Sequence, residues 1–204
     1  MLVLGQGRII LKDGLTIEGE VFGAMRNVAG EMVFNTSMVG YPEALTDPSY
    51  YGQILVFTYP MLGNYGVPQK ERDEFGFPLG LESERIQVTA IVVQEAWSRV
   101  GHPLMKRKLG EWLAEEGVIG LSGVDTRFLT RHLRSYGTML GKIVIEGDVD
   151  FYDPNASDVL SFVSSKEVRE LGSGYPRILV VDCGVKLSIV RSLLKRGASV
   201  LLAP

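Results

Sequence analysis

Thiol, imidazole and hydroxyl groups are the first candidates for reactivity in this chain, and the first two are scarce. The 204 residues contain one cysteine, Cys183, and two histidines, His102 and His132. Cys183 ends an apolar run, "RILVVDCG", at the carboxyl end of an expected parallel strand, where ligands bind in open α/β sheets. A nucleophile elbow, however, needs small residues on both sides so that the backbone can make its strained turn. Val181 and Val185 stand where the G-x-C-x-G pattern has glycine, so a buried structural thiol is expected. His102 precedes a proline in a loop. His132 lies among Arg131 and Arg134, which disfavour a second positive charge, and neither histidine has an evident partner. No His/Cys/Asp cluster has metal-ligand spacing, so no metal site is expected. "GQGRII" lacks the third glycine of a dinucleotide fingerprint, and no P-loop lysine pattern occurs.

The remaining candidate is "PEALTDPSYYGQ", residues 42–53. Thr46-Asp47-Pro48-Ser49 reads first as turn chemistry. Asp47 can accept local backbone amides, and Pro48 presets φ. A second reading gives the Ser49 hydroxyl and nearby amides to a polar ligand at a domain boundary. The residues alone favour the turn.

These groups must be carried by an α/β chain. "RIILKDGLTIEGEVFG" (8–23) predicts a hairpin: Ile9 and Leu11 alternate before Asp13-Gly14, and Leu15, Ile17 and Val21 follow it. "GEMVFNTSM" (30–38) continues in extended form. "QILVFTYP" (53–60) is apolar enough for a strand covered on both faces, stopped by Pro60. Residues 62–85 read as a long exposed connection, and "RIQVTAIVVQEA" (85–96) as the next strand.

A helix is expected around Met105, Leu109, Trp112 and Leu113, stopped by Gly117. "GVIGLSG" is a short apolar strand. A second helix follows, capped by Asp125, with Leu129, Leu133 and Tyr136 as its apolar stripe and Gly137 at its end. "TMLGKIVIEGD" (138–148) adds another strand. Residues 148–176 are turn-rich and read as a linker. "RILVVDCG", "VKLSIVRSLLKRG" and "ASVLLAP" then form one βαβ unit, with Val185, Ile189, Val190, Leu193 and Leu194 on one side of its helix. One such unit cannot cover both faces of a sheet. The chain is therefore expected to be the front part of a longer protein, with residues 177–204 borrowing packing from a neighbour or poorly held.

Composition narrows the classes. The chain is 46% hydrophobic and 22% charged with a formal net charge of −3, a globular balance without a case for nucleic acid. The cations "KRK" at 106–108 read as a solvated helix face. No apolar stretch approaches the ~20 residues of a membrane span, and no signal peptide is evident. With one cysteine and no internal disulfide, a cytoplasmic setting is expected. Asn35-Thr36-Ser37 fits a glycosylation acceptor, read as a chance match.

Three stretches carry a resemblance. "GEMVFNTSMVGYPEALTDPSYYGQILVFTYPMLGNYGV" (30–67) closely resembles the signature of the small subunit of glutamine-dependent carbamoyl-phosphate synthase. "GVDTRFLTRHLRSYGTMLGKIV" (123–144) resembles a second segment of that family, and "ILVVDCGVKLSIVRSLLKRGASVLLAP" (178–204) is similar to the opening of its class I glutamine amidotransferase domain.

The resemblance implies a family N-terminal domain over residues 1–147, a linker over 148–176, and the start of a flavodoxin-like amidotransferase domain over 177–204. It implies a subunit that hydrolyses glutamine and passes ammonia to a large subunit. There ATP, with magnesium, activates bicarbonate and carbamoyl phosphate forms. The family's Cys–His–Glu triad, whose thiolate attacks the glutamine amide, matches no residue here, so the resemblance implies no catalytic residue in this chain and no glutaminase activity from it alone. The one position carried over is Ser49, the serine of L-T-D-P-S-Y, which helps complete the glutamine site. The implied partners are the large subunit and glutamine, with neither nucleic acid nor membrane. The alternative is a non-catalytic docking scaffold for a large partner.

Overall fold

The structure is a computed structural model that describes residues 3–97 and 107–204. The expected helix start at Met105, as well as His102, lies outside these residues. The fold is α/β, as the sequence predicts.

Strands β1 (Gly5–Leu11) and β2 (Thr16–Gly23) form the expected hairpin. Gly14 sits at φ +92° in the turn, a conformation that a Cβ would strain. β3 (Val28–Asn35), helix α1 (Tyr41–Leu45) and β4 (Gln53–Phe57) follow. β5 (Met61–Leu62) pairs with β7 (Glu95–Ala96), flanking β6 (Ala90–Val92). Helix α2 (Leu109–Glu115), β8 (Ile119–Ser122), helix α3 (Thr126–Tyr136) and β9 (Met139–Val144) come next. The last part holds α4 (Leu160–Val163), β10 (Arg169–Leu171), β11 (Arg177–Val181), α5 (Leu187–Lys195) and β12 (Ser199–Ala203).

Seven strands close into a barrel in the order β1-β2-β8-β6-β4-β3-β9. The neighbours β3–β4, β4–β6 and β6–β8 run parallel, and the hairpin side is antiparallel. Alternation assigns the two faces of each strand. Ile9, Val21, Met32, Ile54, Val92 and Ile143 fill the interior with Leu129 and Leu133 of α3. Phe22, Leu55, Phe57 and Ile91 point outward and pack with Leu109, Trp112 and Leu113 of α2. β4 is thus apolar on both faces because both are covered. Gly120 leaves room for the Phe22 ring: a Cβ there would come within 2.3 Å of it.

Two apolar stripes depart from expectation. Tyr136 is 70% exposed; α3 is seated by Leu129 and Leu133, with Thr126 and Thr130 buried beside them. On α5, Val190 and Leu194 are buried but Ile189 is half exposed.

The βαβ unit β11–α5–β12 forms as predicted, with β11 and β12 parallel. β10 adds antiparallel to β12, giving the order β10-β12-β11. Residues 62–85 are not simply exposed. Phe77 is buried and joins Val190, Leu194 and Val200 in a third apolar cluster. The carboxylate of Asp73 accepts from the Arg191 guanidinium at 2.6 Å, and Leu81 O accepts from it at 3.0 Å. The connection thereby supplies the packing that α5 lacks.

Candidate functional site

The Thr46–Ser49 turn is held from three directions. Thr46 is buried; its hydroxyl donates to Pro42 O at 2.9 Å and accepts from Glu82 N at 2.9 Å. The Ser83 hydroxyl donates to Thr46 O at 2.6 Å. Asp47 is also buried and divides its two oxygens: Oδ1 accepts from Ser49 N at 3.0 Å, and Oδ2 faces Lys186 Nζ at 2.5 Å. Asp47 caps the short 3-10 turn Pro48–Tyr50, and Pro48, its first residue, packs toward Gly184, where a Cβ would lie 3.1 Å from the proline. The turn is therefore clamped between the barrel and the β11–α5 unit.

Lys186 precedes α5. Its ammonium pKa is raised, chiefly by the hydrogen bond to Asp47 and then by the charges of Asp47 and Glu82, against partial desolvation. Asp182 closes β11. Burial opposes its charge, but the amides of Val185, Ser165 and Gly184 outweigh that and hold the pKa low. The same carboxylate thus orders the turn after β11 and the approach of residue 165.

Ser49 itself is exposed. It lines an open cleft of about 400 Å³ with Glu31, Tyr51, Gln53, Asn155 and Asp158. Gln53 Nε2 donates to Glu31 Oε2 at 2.6 Å on one wall. Tyr51 stacks on Phe162 at 5.4 Å between ring centres, tying residues 154–163 to the barrel. The arrangement offers a hydroxyl and hydrogen-bonding walls to a polar ligand. It offers no nucleophile paired with a base among the described residues.

The other sequence candidates lie elsewhere. Cys183 is exposed, not buried. Leu179 and Val181 share that exposure because α5 covers only the opposite face of β11. His132 does have a partner: its Nε2 lies 2.6 Å from Asp13 Oδ2, on the β1–β2 turn. The amide of Leu15, and then His132, keep the Asp13 carboxyl low against desolvation. Nothing in the sequence marks that pairing, nor Lys186 as the partner of Asp47. Only the Asp-Pro-Ser spacing betrays that Asp47 would hold the Ser49 amide. Among the described residues, no group of His, Cys, Asp and Glu gathers as a metal site, and no helix is long and apolar enough to cross a membrane.

Residues 9–143 match the family described as carbamoyl-phosphate synthase small chain, CPSase domain. The mouse protein "Carbamoyl-phosphate synthase [ammonia], mitochondrial" is 48% identical over 199 residues, 96% of this chain and 13% of that protein. The "Multifunctional protein CAD" of Squalus acanthias is 47% identical over 201 residues, 96% of this chain and 9% of its own length. The Aspergillus niger "Carbamoyl phosphate synthase arginine-specific small chain" is 46% identical over 202 residues, 95% of this chain and 45% of that one. The chain thus spans less than half the length of these relatives.

Proposed function

Because the chain belongs to the carbamoyl-phosphate synthase small-chain family, we propose that it is part of a glutaminase subunit that supplies ammonia to a large synthase subunit. The large subunit consumes ATP, with magnesium, and bicarbonate to make carbamoyl phosphate for arginine or pyrimidine synthesis. The name of the fungal relative, an arginine-specific small chain, supports the arginine branch of that assignment. A cytoplasmic setting goes with it, although the mouse relative is named mitochondrial. Residues 177–204 are read as the start of a flavodoxin-like amidotransferase domain, 1–147 as the small-chain domain, and 148–176 as the link between them.

The observation that carries the proposal is the position of Ser49. An exposed hydroxyl sits on a turn locked by Asp47 and Lys186, where the barrel meets the βαβ unit. There Ser49 hydrogen-bonds glutamine, and the clamp fixes its backbone without a cost at binding. On this reading amide cleavage belongs to a Cys–His–Glu triad that no residue of this chain matches.

The test is Ser49→Ala with the large subunit present. Loss of one hydrogen bond raises KM for glutamine about fivefold, on the order of 1 kcal/mol, with kcat little changed. An unchanged KM returns Ser49 to a turn role. The alternative, a docking scaffold without glutaminase function, predicts binding of the large subunit with no glutamine-dependent synthesis.

A further inference from the structure

Helix α5 begins without a cap of its own. Lys186, at its N-cap, makes no capping side-chain hydrogen bond, and the first turn holds no acidic residue. Glu82, from the 62–85 connection, takes that place. Its carbonyl oxygen accepts from Leu187 N at 2.9 Å, and its carboxylate Oε2 accepts from Ser188 N at 2.9 Å. Two of the amides that a helix start leaves without partners are thereby satisfied, and a negative charge meets the positive end of the helix. The caps of α3 and of the short turns Pro48–Tyr50 and Pro154–Ala156 are local, with Asp125, Asp47 and Asp153 each two or three residues from the amide they hold. Glu82 lies 106 residues from Ser188.

The same residue reaches the Ser49 turn from its other side. Glu82 N donates to the Thr46 hydroxyl at 2.9 Å. Asp47, next along, accepts from Ser49 N with one oxygen and pairs with Lys186 through the other. Lys186 immediately precedes the two residues that Glu82 caps. The contacts form a closed ring: Glu82 to Thr46, Asp47 to Lys186, and Leu187–Ser188 back to Glu82. Leu81 O accepts from Arg191 at 3.0 Å, one turn further along α5, and so fixes the direction in which Glu82 enters the ring. In such a network each link restrains the next. Ser49 is the exposed residue at its edge.

On the reading above, which gives Ser49 the glutamine contact and on which this inference rests, we propose that Glu82 is a positioning residue for glutamine. It fastens the Ser49 turn to the start of α5, so that the hydroxyl is already in place when substrate arrives. It acts through Ser49, not on the substrate.

A double-mutant cycle decides this, made in the full-length protein with the large subunit present and read as KM and kcat for glutamine. Glu82→Ala raises KM about fivefold, as Ser49→Ala does, and lowers kcat by less than about twofold. In the Ser49→Ala background the same change adds less than about twofold, because the group it positions is gone; independent action would give about 25-fold in the double variant. Glu82→Gln, which keeps an acceptor for Ser188 N but no charge, raises KM about threefold. Tm and co-elution with the large subunit verify folding and assembly. If Glu82→Ala does not fold, Glu82→Gln carries the cycle, with its threefold rise absent from the Ser49→Ala background. Wild-type KM in the folded Glu82 variants, or full additivity in the double variant, overturns the positioning role and leaves Ser49 its contact. An unchanged KM in Ser49→Ala alone sinks both.

Discussion

In the barrel every strand has a hydrogen-bonded neighbour on each side, and β4 is covered on both faces. In the sheet of β10, β12 and β11, two strands are edges, and Leu179 and Val181 of β11 stand exposed at 61% each. The first region is held by apolar burial inside a closed surface. The second is held by a few contacts to the 62–85 connection and to Asp47. The lesson is that the two βαβ-like appetites for packing, similar in sequence, are met locally in one region and by distant loop residues in the other.

Substitution in the barrel should have the largest effect. Phe22→Ala empties the space over Gly120 and costs about 3–5 kcal/mol, read as a lower urea midpoint for the whole chain. Equal loss of midpoint from an α5 substitution would erase the contrast. Next, Asp73→Ala leaves the Arg191 guanidinium without its carboxylate and frees the amides of Phe75 and Phe77. The expected cost is about 2–3 kcal/mol. Hydrogen exchange should quicken in α5 and β12 while the barrel interior stays protected.

Acid should act in the same selective way. Asp73 and Asp182 are both held below the usual carboxylate range: for each, burial raises the pKa, but Arg191 and the amides of Phe77 and Phe75 at Asp73, and three amides at Asp182, lower it further. A depressed folded-state pKa means that the unfolded state binds protons first as pH falls. Their contribution is complete above the unfolded value of about 3.9 and disappears as pH drops through the folded values. Limited proteolysis as pH falls below about 3.9 should therefore cut residues 165–204 before the barrel; simultaneous cutting would deny the difference. The smallest effect is expected from Asp13→Ala, which removes an exposed pair with His132 and costs under about 1 kcal/mol. A larger shift in the midpoint would show that the hairpin depends on α3.

Much of the barrel was legible because its signals are local. Asp13-Gly14 marks a turn, the alternation about it sets two faces, and Asp125 caps the helix that follows it. The seam was not legible because its partners are distant: Asp73 meets Arg191 across 118 residues, and Asp13 meets His132 across 119. Pattern reasoning also misjudged Cys183 and Tyr136. Period alone cannot tell whether a second layer covers an apolar face. Ser49 was singled out by resemblance, and its spacing alone spoke only for a turn.

Cys183 is the only sulfhydryl in the chain and it faces solvent beside the clamp that Lys186 makes with Asp47. A maleimide fluorophore would thus attach at one place, without mutagenesis. Its emission would report, in real time, any loosening of the joint on which the loop after β11 rests.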